Sequence, residues 1–349
     1  AGQVQQADAR RSPLPDESVS VWFTDPPYYF AVPYADLSDF FFVWLKRSLP
    51  GHPLLNDPLD ATNPLTPKEA ELCEMAHWDS QRYAHKDYGF YENGMAEAFQ
   101  EGRRVLREGG IGSVVFAHKT TEGWEALLTG MIRGGWVITG SWPIATEAGN
   151  RLRAQDSAAL ATSIHLVSRP RPEHAPVGDW ADVIRQLPKR VGDWMERLQT
   201  EGIRGADLVF ACIGPALEIF SRFSKVETAE GREVALAEFL EKVWEVVGRM
   251  ALAQVLGSTE GKVGAGATGA LEEDARLTAL FLWTLQSSNG DGGEEPGGEE
   301  SDESDGVDDE DEAPQKKTKG FSLIFDVVRR FAQPLGIHLP DWEDRIIKT

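Results

Sequence analysis

Val19-Ser20-Val21-Trp22-Phe23-Thr24-Asp25-Pro26-Pro27-Tyr28 is the stretch on which the reading of the fold turns. Val19, Val21 and Phe23 alternate with the other three of the first six residues, which predicts a strand over Val19 to Thr24. The two prolines each lack an N–H and fix φ, so they stop that strand and hold their own carbonyls in place. The Pro26 carbonyl is then free beside the Asp25 carboxylate. Two neighbouring acceptors can take both hydrogens of one planar NH2 group, and the Tyr28 ring can stack on the ring that carries it. The pattern is a site for an aromatic amine.

Outward from this stretch the chain alternates strands and helices. Val4 to Ala9 reads as a short strand, and the helix after the motif begins near Asp36 or Ser38, with Phe40, Phe41 and Phe42 as core. Residues 50–88, rich in Pro, Asn and Asp, read as an irregular insertion in which Lys68, Arg82, His85 and Lys86 are candidates for target recognition. A helix follows from Glu92 to Leu106, with Met95, Ala98, Phe99 and Val105 on one side and Gly109 and Gly110 ending it. Gly112 to Ala117 is a buried strand, Trp124 to Ile132 a helix, and Trp136 to Ser141 and Ala158 to Val167 strands. Together these predict a doubly wound α/β sheet closed by a hairpin over residues 1–170.

After Pro170 the pattern is helical, with segments at Trp180 to Gln186, Val191 to Thr200, Leu236 to Arg249 and Leu271 to Gln286, a module of residues 171–288. The net charge of −21 is concentrated: residues 291–313 hold thirteen Asp or Glu and no base, which leaves −8 on the remainder. Interleaved with Gly and Ser, this tract predicts a self-repelling linker over 289–320. Phe321 to Ala332, within the last segment of 321–349, has apolar residues at helical spacing. The longest apolar runs are far too short to cross a bilayer, so the chain reads as cytoplasmic with no membrane partner. Cys73 and Cys212 make neither a disulfide framework nor a four-ligand zinc site.

The motif, in the context Thr24-Asp25-Pro26-Pro27-Tyr28-Tyr29, resembles the D-P-P-Y amino-methyltransferases, and more narrowly the adenine-specific DNA methylases that carry a zinc ribbon. Val32-Pro33-Tyr34-Ala35-Asp36-Leu37-Ser38-Asp39-Phe40-Phe41, Phe116-Ala117-His118-Lys119, Ser141-Trp142-Pro143-Ile144, Arg151-Leu152-Arg153-Ala154 and Phe325 to Pro334 agree with it. The resemblance implies a class I, Rossmann-like methyltransferase sheet with S-adenosylmethionine as cofactor and DNA as partner. It also implies a place in restriction-modification or phage defence, alongside other subunits of such a system. The family's zinc ribbon is not in this chain. The family sets a glycine-rich cofactor turn upstream of the D-P-P-Y strand, and only 24 residues precede Asp25, so the chain is expected to be a carboxy-terminal portion lacking the first strands.

By the resemblance, Asp25, Pro26, Pro27 and Tyr28 are the catalytic set, since two acceptors localise the lone pair of an amine otherwise delocalised into adenine. Thr24, Asp25 and His118 fall on the cofactor side, as does Asp8, which otherwise reads as a surface Asp capping a turn. Tyr29 and Tyr34 line a pocket for an extruded base. Lys119, Arg151 and Arg153, with Lys46 and Arg47, are phosphate or substrate contacts that equally suit pairing with local acids. Gly264 to Gly269 fits G-x-G-x-x-G but follows a helical pattern, so a loop between helices is the better reading. Asp207 to Gly214 reads as an element packing on the sheet rather than a permuted cofactor loop. Methylation of the 4-amino group of cytosine, and a non-catalytic DNA-binding or scaffold role, remain the alternatives.

Overall fold

The structure, a computed structural model, describes residues 7–52, 55, 62–118, 120–144, 163–203 and 205–255. In chain order the elements are β1 (Val19–Thr24), α1 (Tyr34–Ser48), α2 (Tyr88–Val105), β2 (Leu106–Phe116), α3 (Thr121–Arg133), β3 (Trp136–Ile144) and β4 (Ser163–Pro170). These are followed by β5 (Gly178–Asp179), α4 (Trp180–Thr200), α5 (Gly205–Ala211), α6 (Ile213–Ser221), β6 (Val226–Glu227) and α7 (Leu236–Val255). The four-stranded sheet has the order β1-β2-β4-β3, and β5 pairs with β6 in a small second sheet. The chain is thus mixed α/β. Within the main sheet β1 runs parallel to β2, and the hairpin β3–β4 folds back so that β4 pairs antiparallel with β2.

β1 falls where the sequence places it. Trp22 turns inward, its ring 5.2 Å from Trp136 and 5.8 Å from Phe99, so the strand is anchored to α2 and β3 through one side chain. α2 presents Met95, Ala98, Phe99 and Val105 to the core, as its period predicts. Its N-cap is Asp87, whose carboxylate accepts the Phe90 N–H at 2.8 Å. α3 is capped by Thr120, which accepts from Gly123 at 3.3 Å. A single buried cluster runs from Tyr29 through α2, α3 and the sheet to Ala251 of α7. α5 and α6 pack on β3: Ser141 at the centre of that strand donates to the Ala211 carbonyl at 2.5 Å and accepts from the Gly214 N–H at 3.1 Å. The segment from Asp207 is accordingly a helix packed on the sheet.

Several expectations are corrected. Gly109 and Gly110 do not terminate α2; they lie inside β2, where the pairing with β1 shifts register between Val19 and Val21. A bulge in a strand accepts glycines that would otherwise read as a stop. Residues 7–9, the described part of the Val4 to Ala9 segment, form a turn rather than a strand. Trp180 to Gln186 and Val191 to Thr200 are one helix that passes through Pro188. Leu187 and Val191, buried on either side of the proline, hold that helix against the core. The expected winding on both faces is incomplete beside β1, where Val21 and Phe23 are 62% and 60% exposed.

The largest departure is α1, which buries none of its residues: Phe40 and Phe41 are each 66% exposed, with Leu37, Trp44 and Leu45 also exposed. Its polar side faces inward. Asp39 pairs with the buried Lys68 at 2.7 Å and accepts from Thr66, while Asp36 accepts from Tyr83 at 3.0 Å. The insertion at 50–88 is therefore tied to α1 by polar contacts and, among its described residues, contains no strand or α-helix before Tyr88, where α2 begins. Of its cations, Lys86 is buried and donates to the Lys68 carbonyl, while on the surface His85 pairs with Glu69 and Arg82 lies over Tyr83. Buried Lys68 and Lys86 are thereby removed from the recognition surface anticipated for them, whereas Arg82 and His85 remain exposed. Gly264 to Gly269, Leu271 to Gln286, the acidic tract and Phe321 to Ala332 lie outside the described residues, and no helix among the described ones is long and apolar enough to cross a membrane.

Candidate functional site

The site is built where β1 ends. Thr24 is the last paired residue, opposite Val114 of β2, and the two prolines turn the chain out of the sheet. The turn is locked from Pro27 onward. The Pro27 carbonyl accepts from the Tyr29 N–H at 3.0 Å and from the hydroxyl of buried Tyr91 at 2.8 Å, and the Tyr28 carbonyl accepts from the Ala31 N–H at 2.9 Å. Tyr29 takes φ of +53°, a conformation that costs a non-glycine residue of order 1 kcal/mol or more and persists only when its surroundings over-determine it. They do so here. Its ring is buried against Tyr88, Tyr91 and His118, its hydroxyl donates to Glu122 at 3.1 Å, and its carbonyl accepts from Glu74 at 3.2 Å.

With Pro27 and Tyr28 committed in this way, the acceptors ahead of them stay available. Pro26 is buried and its carbonyl accepts no hydrogen bond among the described residues, while the Asp25 side chain is exposed. The Tyr28 hydroxyl reaches both Asp25 and Ser163; burial, foremost, and the Asp25 carboxylate raise its pKa above the ordinary tyrosine range. A carboxylate has two oxygens and about four lone-pair sites, so the Tyr28 contact leaves room for a further donor. The Tyr28 ring meets Phe116 edge-on at 5.3 Å, which fixes its plane beside the strand end. Tyr34, at the start of α1, is 49% exposed, and its hydroxyl is also raised by burial and then by the Asp25 charge.

Two residues of β4 join this group without a motif to announce them. β4 pairs antiparallel to β2, with His165 opposite Val115 and Ile164 opposite Phe116, which brings Ser163 to Tyr28 and His165 beside Phe23 and Asp25. Burial lowers the pKa of His165, and the Asp25 charge opposes this. A neutral imidazole leaves the carboxylate free as an acceptor instead of neutralising it in an ion pair. Both residues fall inside the segment Ala158 to Val167 that reads as a strand. Their role comes from the register of pairing, which no local pattern reveals.

Other sequence candidates stand elsewhere. Tyr29 is part of the core and does not line a base pocket. His118, expected on the cofactor side, is buried at 4% exposed; its Nδ1 accepts the Thr120 N–H at 3.1 Å and its carbonyl accepts from the Trp124 indole at 3.0 Å. Asp8 is taken by Arg10, through the backbone N–H at 2.9 Å and the guanidinium at 3.1 and 2.9 Å, which lowers its pKa; this is the turn-capping role. Lys46 donates to the Pro64 carbonyl at 2.6 Å, and Arg47 lies over Trp44. Lys119, Arg151 and Arg153 lie outside the described residues. Of the residues assigned to the cofactor side, only Thr24 and Asp25 are at the strand end, so the described residues do not assemble a set of donors and acceptors that fits S-adenosylmethionine. No family model, curated protein or solved structure matches this chain.

Proposed function

We propose that this chain carries the amine-orienting part of a DNA adenine methyltransferase, an enzyme that moves a methyl group from S-adenosylmethionine to the 6-amino group of adenine. The observation that carries the reading is the pair of acceptors at the end of β1: an exposed carboxylate at Asp25 next to a proline carbonyl at Pro26 that no other group among the described residues uses. An exocyclic amine placed there donates one N–H to each. Asp25 and the Pro26 carbonyl would hold both hydrogens so that the nitrogen turns pyramidal and its lone pair leaves the ring; S-adenosylmethionine would supply the methyl group, leaving as the thioether while the amine gives up one proton. Displacement in line then needs mainly positioning and electrostatic support. Tyr28 supplies a ring beside the base, with its hydroxyl near the Asp25 carboxylate. The adenine must leave the duplex to reach this point.

The sheet supports the class I reading to the extent that a parallel pair, β1–β2, is closed by an antiparallel hairpin, with the motif at the carboxyl end of a strand, where open α/β sheets bind ligands. The test is transfer of labelled methyl groups to unmethylated DNA, followed by digestion and separation of the bases. Label in 6-methyladenine is the expected result. Label in 4-methylcytosine would reassign the substrate to cytosine, and DNA binding without any transfer would move the chain to a scaffold role.

A further inference from the structure

At the opposite end of the sheet from Asp25 lies a cavity of about 220 Å³ lined by three arginines, Arg103, Arg133 and Arg171. Its walls come from the end of α2 (Gln100, Arg103), the turn after α3 (Arg133, Gly135) and the segment that leaves β4 (Arg171, Glu173). β4 runs from Ser163 at the Tyr28 end to Pro170, which pairs with Trp136, so roughly 20–25 Å of strand separates the cavity from the methyl-transfer site. Arg171 donates to the Ile132 carbonyl at 3.0 Å and the Ser221 carbonyl at 3.3 Å; Arg103 donates through Nη2 to the Arg171 carbonyl at 2.9 Å. Among the described residues neither is paired with a carboxylate. The Nε of Arg103 is buried and has no hydrogen-bond partner. By contrast, Arg133 is held by Glu92 and Asn93. Glu173, the carboxylate of the lining, is exposed at the rim.

The geometry points to a binding site for a small oxyanion of the phosphate type, held between Arg103 and Arg171. Two cationic groups lining one cavity without a carboxylate partner are costly to hold together. An anion in the cavity would accept from the guanidinium N–H groups that face it and offset the repulsion. Burial, and after it the charge of Arg103, already lowers the pKa of Arg171. The wall is fixed rather than adaptable: Gly135 has φ of +82°, and a Cβ there would stand 2.9 Å from Arg103 Cδ, so the turn leaves room for the guanidinium stem and for no side chain of its own. A volume of 220 Å³ is below the ~300–1,000 Å³ typical of sites that enclose drug-sized molecules, which selects a small anion or a single phosphoryl group.

The test is calorimetric titration of the full chain with inorganic phosphate against chloride at equal ionic strength, repeated on Arg103→Gln and Glu173→Gln. The expected result is saturable phosphate binding that weakens about tenfold or more in Arg103→Gln, the loss of one charge-assisted hydrogen bond, and tightens in Glu173→Gln. Should Arg103→Gln fail to fold, the Glu173→Gln shift decides. A short DNA duplex as competitor assigns the source: displacement of phosphate makes the ligand a backbone phosphate, and its absence makes it a free anion. Phosphate binding no different from chloride, or equal in the parent and in every folded variant, would overturn the assignment.

Discussion

The Asp25 side chain is exposed while the proline after it is buried, and this contrast separates chemistry from stability at neighbouring positions. Asp25→Ala removes an acceptor from solvent-facing space, so unfolding should shift by no more than about 0.5 kcal/mol, while methyl transfer should fall by about 10²–10³-fold, the scale for losing one preorganised electrostatic partner. Tyr91→Phe does the reverse. It leaves the Pro27 carbonyl without its 2.8 Å partner in a buried setting, and should cost about 1–3 kcal/mol in a urea melt. His165 adds a pH dependence. Its folded pKa lies below the ordinary value of 6.5, so the unfolded chain takes up the proton first, and stability falls as pH drops through 6.5 until the folded imidazole is also protonated. His165→Gln should flatten that part of a stability profile measured from pH 8 down to pH 5. The acceptor pair was legible in the sequence because strand, proline and carboxylate are neighbours along the chain. Ser163, His165 and Tyr91 were not, because only the pairing of β4 with β2 and the packing of α2 bring them to the motif.

Among the elements, periodicity was a good guide wherever a helix has one apolar side that is buried. α2 and α3 follow it. For α1 it was misleading, since an apolar stripe reveals a face but not which way that face points, and the polar anchors Asp36 and Asp39 turn it outward. Phe40→Ser and Trp44→Ser should therefore change unfolding free energy by about 0.5 kcal/mol or less, against about 3–5 kcal/mol for Phe99→Ala in α2, in parallel denaturant melts. Gly102 tests the contact of α2 with β1. A Cβ there would stand 2.4 Å from the Trp22 ring, so Gly102→Ala should destabilise by about 1–3 kcal/mol despite improving helix propensity. Gly109 and Gly110 show the other limit of local reading: paired glycines signal a break, and here the break is a register shift inside β2 rather than the end of a helix.

For the molecule as a whole, the charge and the tyrosines make statements that are independent of any motif. All six tyrosines have raised pKa values, with burial the leading cause in each, and Tyr83 is pushed up to about 12. The unfolded chain releases these protons near pH 10 and the folded chain later, so stability is intact below pH 10 and declines as pH rises above it. Native protein at pH 10 should show little tyrosinate absorbance, and the signal should rise together with loss of circular dichroism; half-ionisation at pH 10 with the fold intact would contradict the packing described for Tyr28, Tyr29 and Tyr91. The measurement that bears most directly on the central claim is methyl transfer from labelled S-adenosylmethionine to unmethylated DNA by the natural full-length protein and its Asp25→Ala variant, with DNA binding followed in the same samples. The expected result is labelled 6-methyladenine from the parent and at least about 10²-fold less from a variant that is folded and still binds DNA. Equal labelling by both would contradict it, because the acceptor pair at the end of β1 would then have no part in the reaction.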